Sequence, residues 1–293
     1  MDNKRVTRRA RIALALAGGT ALTAVVAQIP ANATAGQAAP HRADVASAAQ
    51  HASRSAGTAD GTSYDDTYYK DAEGKTGQAL KDALHRIISS TQTGKLTYDQ
   101  VWDALKETDQ DPDNSDNVIL LYTGRSQSKN ANGGNPDDWN REHVWAKSHG
   151  DFGTDTGPGT DIHHLRPEDV SVNSIRGNKD FDNGGTKVDE APGNNTDDDS
   201  FEPRDAVKGD VARMILYMAV RYDGGDGFAD LEPNDKVDNG TQPHIGRLSV
   251  LKKWSEQDPP DTFEKHRNQV IFDKYQHNRN PFIDHPEWVG EIW

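Results

Sequence analysis

A globular core is built around large apolar side chains, and in this chain their placement bounds the fold before anything else does. All 7 Phe, 6 Trp and 8 Tyr lie at or after Tyr64, so the residues before it cannot nucleate a core. The foldable part of the 293-residue chain is therefore Ser63–Trp293, enough for one domain with a sizeable interior. What precedes it divides in two. Residues 1–33 read as a secretory signal peptide: Lys4, Arg5, Arg8, Arg9 and Arg11 form a cationic start, Ile12 to Ala27 an apolar stretch, and Ala31-Asn32-Ala33 a cleavage site, with Ala33-Thr34-Ala35 as a second candidate. The apolar stretch, interrupted by Gly18 and Gly19, is short for a bilayer span. Arg8-Arg9 leaves twin-arginine export open beside the general secretory route. Residues 34–62, rich in Ala, Gly, Ser, His and Thr, read as a disordered linker or propeptide. The expectation is a secreted, monomeric protein with no membrane attachment once processed.

There is no cysteine, which excludes a disulfide scaffold, a thiolate zinc site and a thiol nucleophile. Against 33 Lys+Arg stand 47 Asp+Glu, a formal charge of −14. Loss of the leader, with five basic residues and one acidic, takes it to −18. Such a balance argues against bulk electrostatic attraction to nucleic acid or anionic membrane, although a bound cation can reverse the sign locally.

The spacing of Ala79, Leu80, Ala83, Leu84, Ile87 and Ile88 predicts a helix, and Tyr98 to Leu105 predicts a second. Val118 to Tyr122 reads as a buried strand ended by Thr123-Gly124. Val211, Met214, Ile215, Leu216, Met218 and Tyr222 mark the most apolar helix, and a last one is expected from Phe263 to Tyr275. The class is α+β, helix-rich, with long polar loops that packing alone does not explain.

Residues 139–183 are unlike the rest, because His, Glu, Asp, Asn and Arg crowd into them. Trp139 to Trp145 predicts a strand, Gly150 to Gly159 a loop, and Asp161 to Leu165 a second strand. Pro167 suits the first position of a helix that would stop near Gly177. A carboxylate (Glu142) and an amide oxygen (Asn173) are hard ligands suited to Mg²⁺ or Mn²⁺. An imidazole beside them (His143) can deprotonate an attacking water. Guanidinium groups (Arg166, Arg176) can hold phosphate. Metal, base and arginine together make a phosphodiesterase site.

Three motifs carry a resemblance: Asn140-Arg141-Glu142-His143-Val144-Trp145, Thr160-Asp161-Ile162-His163-His164-Leu165-Arg166-Pro167, and Val172-Asn173-Ser174-Ile175-Arg176-Gly177-Asn178-Lys179. In this order and spacing they resemble the bacterial endonuclease I family, secreted or periplasmic non-specific nucleases of the His-Me finger (ββα-metal) superfamily. Weaker similarity reaches Lys208–Arg213 and Asn278–Phe282. The resemblance implies a helix-rich single domain over 63–293 around a ββα-metal core at about 139–180. It further implies His143 as general base, Glu142 and Asn173 as ligands of the divalent metal, and cleavage of DNA, with RNA a further substrate, to 5′-phosphate and 3′-hydroxyl ends. Asp161, His163 and Asn178 are expected in support, and Arg141, Lys179 and Arg279 as phosphate contacts. Two departures stand out. Ala146 occupies the family's usual Pro position, and residues 148–160 lack the arginine some relatives place there, so Arg166 or Arg176 takes that part in the expectation.

Neighbours in a regular strand point to opposite faces, so a shared site for Glu142 and His143 predicts a distortion or strand end at 142–143. Two other readings compete. A zinc hydrolase could be assembled from His143, His149, His163 and His164, but neither His-Glu-x-x-His nor His-x-His is present. A calcium-stabilised, non-enzymatic binding module could use Asp109, Asp111, Asp113 and Asp116, or Asp223–Gly227. Asn114 and Leu120, however, stand where a calcium loop needs Gly and Glu.

Overall fold

The apolar spacing of the first predicted helix becomes α1, Gly77–Thr91, whose Leu80, Ala83, Leu84 and Ile88 are buried. The computed structural model describes residues 67–293; the leader and linker expectations lie outside the described residues. The second predicted helix is α2, Tyr98–Thr108. Its start is fixed by a reciprocal cap, in which Thr97 Oγ1 accepts from Gln100 N and Gln100 Oε1 accepts from Thr97 N. Tyr98 and Trp102, one turn apart, share a face of α2. A small antiparallel sheet follows: β1 (Gln110–Asp111), β2 (Asn114–Ile119) and β3 (Ser126–Ser128). The run Val118–Tyr122 is thus strand only as far as Ile119. Beyond it the chain reverses, with Gly124 in the left-handed region at φ 67° and its N–H donating to Leu120 O.

The central hairpin pairs β4 (Trp139–His143) with β5 (Leu165–Asp169), antiparallel, with Asn140 opposite Glu168 and Glu142 opposite Arg166. Here the structure corrects two expectations. Asp161 to His164 are not strand: Asp161 Oδ1 accepts from His163 N and its carbonyl from His164 N, so the side chain folds its own backbone into a turn. Pro167 lies in β5 and not at a helix start. This two-stranded sheet leaves the other edge of β5 free of a strand, and there Pro167 O accepts from Leu121 N. The helix α3, Val170–Arg176, begins one turn later, capped by Asp169 Oδ1 on Ser171 N and Val172 N, and it ends at Gly177 as expected.

Short strands β6 (Asp180–Phe181), β7 (Thr186–Lys187), β8 (Asn195–Thr196) and β9 (Ser200–Glu202) form a further sheet in the order β6-β9-β8-β7. The most apolar predicted helix is α4, Lys208–Arg221, buried from Gly209 to Arg221. A helix covered all round belongs at the centre of a core, and α4 packs against α1, α5 (Leu248–Gln257) and α7 (Pro281–Asp284). The last predicted helix is α6, Thr262–Val270, continued by a wider turn over Ile271–Tyr275. A second apolar cluster of Val101, Leu105, Val118, Trp139, Ile162, Leu165 and Ile271 joins α2, β2 and the hairpin. The class is α+β, as the sequence indicates. Among the described residues no helix is long and apolar enough to cross a membrane.

Candidate active site

Among the described residues, strand β4 is paired along one edge with β5, and its other edge is bridged only at Trp139, to Asn132. From Asn140 to His143 that edge opens onto a cleft of about 520 Å³. On one side of the strand are Asn140 and Glu142, met by Asn173 of α3. On the other are Arg141 and His143, met by Tyr98 of α2. Both faces of β4 reach the cleft because it runs along the strand's edge, and β4 ends at His143. The alternation that seemed to separate Glu142 from His143 instead places them on two walls of one groove.

Glu142 is 2% exposed. Its Oε1 accepts from the Tyr122 hydroxyl at 2.7 Å and from Arg176 at 2.9 Å. Both of these side-chain bonds fall on Oε1, and the His143 backbone N–H also favours the charged carboxylate. Burial raises its carboxyl above the usual range, opposed by the Arg176 charge and the Tyr122 bond. Asn173 donates through Nδ2 to Asn140 Oδ1 at 2.6 Å, which leaves its own Oδ1 as an acceptor on the same side of the strand. One carboxylate oxygen and one amide oxygen suit a hard divalent cation that keeps most of its waters. They do not form an all-carboxylate cage, and no group of three acidic or histidine side chains among the described residues could hold a metal.

His143 Nε2 lies 3.1 Å from Gly159 O. A carbonyl only accepts, so Nε2 carries the proton and Nδ1 is the basic nitrogen. Burial, then the neighbouring His164, Lys147 and Arg141, hold the imidazole well below the usual histidine range. It is neutral near pH 7, the state a general base needs. The carbonyl belongs to a tight 3₁₀ turn, Pro158–Thr160, in which a Cβ on Gly159 would come within 2.7 Å of Gly153 O and 2.9 Å of Thr154 Cα. Only glycine fits there.

The expected phosphate arginines are redistributed. Arg166 is buried and paired with Asp109 and Asp210, and Asp109 also takes Arg267. Arg279 is paired with Asp284 at 2.7 Å. Arg176, fully buried over the Phe181 ring, donates to Glu142 and to the carbonyls of His143 and Val144. It orients the carboxylate and strand end and is not available to a substrate. Lys179 donates to Thr196 Oγ1 and lines a separate hollow with Asp180, Asp198 and Asp199. The cleft's cations are Arg141 and Lys147. Neither has a carboxylate partner among the described residues. Arg141 lies 3.4 Å over the Tyr98 ring and 4.0 Å over Trp102, and its buried Nε has no hydrogen-bond partner among the described residues.

Asp161 and His163 brace the hairpin from outside the cleft. Asp161 accepts from the hydroxyls of Tyr217 and Tyr222 and from Gln276, and His163 Nε2 lies 3.2 Å from Asn278. Asn178 lines the cleft, with its carbonyl 2.7 Å from His149 Nε2. The zinc alternative loses its ligands here, because His149, His163 and His164 are all bonded to neighbouring backbone or to Asn278. The acidic loop does not converge either: Asp109 holds two arginines, and Asp111 accepts from Ser126 and Asp113 N. Sequence reading missed Tyr122, hidden in an apolar run, and the aromatic pair Tyr98/Trp102, whose four-residue spacing was the available signal.

It also missed Glu168, opposite Asn140 in the ladder and fully buried. Glu168 Oε2 accepts from Tyr122 N, while Oε1 has no partner among the described residues. Burial pushes its carboxyl up to about 8. The folded state then holds a proton that the unfolded chain releases near the ordinary glutamate value. That contribution to stability is complete below the unfolded pKa and is lost as pH rises through about 8. Glu168→Gln should therefore melt higher than the parent at pH 8, by a margin worth on the order of a few kcal/mol, and the gap should close toward pH 4–5. Melting curves at the two pH values check this; an equal gap at both would contradict it.

The cleft thus brings together an imidazole, two hard oxygen donors and two cations without a carboxylate partner among the described residues. Comparison with known proteins specifies the class. Residues 76–287 match the Endonuclease I family, and the chain belongs to that family, an enzyme that cleaves nucleic acid. Relatives include the extracellular ribonucleases of Bacillus amyloliquefaciens and Bacillus subtilis (strain 168), each 69% identical over 228 residues, 78% of this chain and 78% of theirs.

Proposed function

We propose that the protein is a secreted, divalent-metal-dependent endonuclease that hydrolyses both RNA and DNA with little sequence preference. The observation that carries this reading is the contact of His143 Nε2 with Gly159 O, which assigns the proton to Nε2 and leaves Nδ1 basic, on a cleft shared with Glu142 and Asn173. Arg141 and Lys147 bind backbone phosphate, a contact that carries no sequence information and weakens as salt rises. His143 Nδ1 takes a proton from water as the water oxygen bonds to phosphorus and the bond to the 3′-oxygen breaks. The products are a 5′-phosphate and a 3′-hydroxyl, and His143 returns its proton to solvent or to the departing oxygen. Glu142 and Asn173 would hold a Mg²⁺ or Mn²⁺ ion, which would supply neutralisation of charge on the phosphate and the leaving oxygen. Arg176 and Tyr122 both donate to Glu142 Oε1 and hold the carboxylate in its orientation toward the cleft.

RNA stands beside DNA for two reasons. The relatives carry ribonuclease in their names, and a water nucleophile does not require a 2′-hydroxyl. Secretion follows from the leader read in residues 1–33 and agrees with the relatives' extracellular designation. Digestion of plasmid and of structured RNA tests the reading. Both should be degraded with Mg²⁺ and spared with excess EDTA; activity indifferent to EDTA would exclude the metal mechanism.

A further inference from the structure

Two adjacent carbonyls of the 3₁₀ turn, Pro158 and Gly159, each meet an imidazole. Gly159 O faces His143 Nε2; Pro158 O faces His164 Nε2 at 2.7 Å. His164 is fully buried, and its tautomer is settled by both nitrogens: Nδ1 accepts from Trp145 N at 3.3 Å, so Nε2 carries the proton that Pro158 O accepts. Its backbone O also accepts from Val144 N. His164 thus ties together the chain just after His143 and the turn whose next carbonyl orients His143. That turn closes a loop containing Gly150, Gly153, Gly157 and Gly159, which is held elsewhere by Gly150 N on Thr241 O and Thr156 Oγ1 on Leu96 O. Inside the turn, Thr160 N–H donates to Gly157 O, and Thr160 Oγ1 lies near Gly157 N. Neither bond links the turn to β4.

We propose that His164 is a positioning residue for the nuclease reaction, acting through the Pro158–Gly159 carbonyl pair to hold His143 in the tautomer with Nδ1 free. The proposal rests on the reading of His143 as the base. It goes beyond that reading by assigning a role to an imidazole outside the cleft.

Two substitutions separate its two bonds. His164→Gln places an N–H donor near the position of Nε2 and can keep the Pro158 bond; His164→Asn matches Nδ1, can keep the Trp145 bond and is too short for Pro158. The measurements are kcat and KM on an RNA oligonucleotide with Mg²⁺, and the ¹⁵N imidazole spectrum of His143 in the full mature protein. His164→Asn should lower kcat roughly tenfold to a hundredfold, part of the contribution of a general base, with KM within about twofold of the parent. The His143 spectrum should change from a single Nε2–H form to a mixture. His164→Gln should restore most of kcat and the parental spectrum. Parental kcat in His164→Asn, a loss confined to KM, or a His143 spectrum unchanged in that variant would overturn the proposal. So would a His164→Gln variant that is folded yet has lost the His143 tautomer, and this arm decides if His164→Asn does not fold. A fully active His143→Ala would defeat the general-base reading, while the spectrum would still report whether His164 controls the turn.

Discussion

His143→Ala should lower kcat on plasmid and on RNA by roughly 10²–10⁴-fold, the range a positioned general base contributes, and leave KM within a few-fold. The split follows from the site. On the proposed reading Arg141 and Lys147 would supply the phosphate contacts, so substrate binding should survive and the loss should fall on proton removal in the transition state. The fold should survive too. His143 is neutral by burial, so its removal leaves no buried charge. It leaves Gly159 O without a donor, a cost of about 1–3 kcal/mol. Far-UV circular dichroism and a melting curve beside the rate measurement check this. A folded variant with parental kcat would remove His143 from the reaction.

Removing the Glu142 charge should be as damaging to activity and more revealing. Glu142→Gln keeps an acceptor for Tyr122 or Arg176 and loses the anionic oxygen, so activity at millimolar Mg²⁺ should fall by roughly a hundredfold or more. The Mg²⁺ concentration needed for half the remaining activity should rise. Glu142→Ala should add a stability defect, because the fully buried Arg176 guanidinium then has no carboxylate. Breaking a buried pair from one side costs about 3–5 kcal/mol. Titration of activity with Mg²⁺, together with denaturant melts, separates the two effects. Parental metal dependence in Glu142→Gln would show that the donor set lies elsewhere.

The contrast between Glu142 and the arginines shows how far a sequence of this kind can be read. Glu142, His143 and Asn173 stand out in the sequence as a carboxylate, an imidazole and an amide within one short segment, and all three line one cleft. Arg166, Arg176 and Arg279 were equally suggestive as residue types, yet each faces a carboxylate: Asp109 and Asp210, Glu142, and Asp284. Whether a guanidinium meets phosphate or an internal acid depends on contacts between residues far apart in the chain, and an acidic protein offers many such acids. Arg141 and Lys147 differ in having no acidic partner among the described residues, which only the folded arrangement reveals.

The same division holds for the backbone. Helix α4 was legible from apolar spacing, because a helix covered on every side must be apolar on every side. The second strand of the hairpin was displaced from 161–165 to Leu165–Asp169 because one side chain, Asp161, closes a local turn. The net charge of −14 remained a poor guide to the partner. Local charge at the cleft comes from Arg141 and Lys147, and distant surface carboxylates are screened.

The end chemistry of cleaved RNA tests the central claim most directly, since it reports which oxygen attacked phosphorus. Water activated by His143 at the edge of β4 leaves fragments with a 5′-phosphate and a 3′-hydroxyl, and an all-deoxy strand of the same sequence is cut to the same kind of ends. Fragments with a 2′,3′-cyclic phosphate and a 5′-hydroxyl, together with an intact deoxy strand, would mean that the substrate's own 2′-hydroxyl is the nucleophile, and would contradict the account.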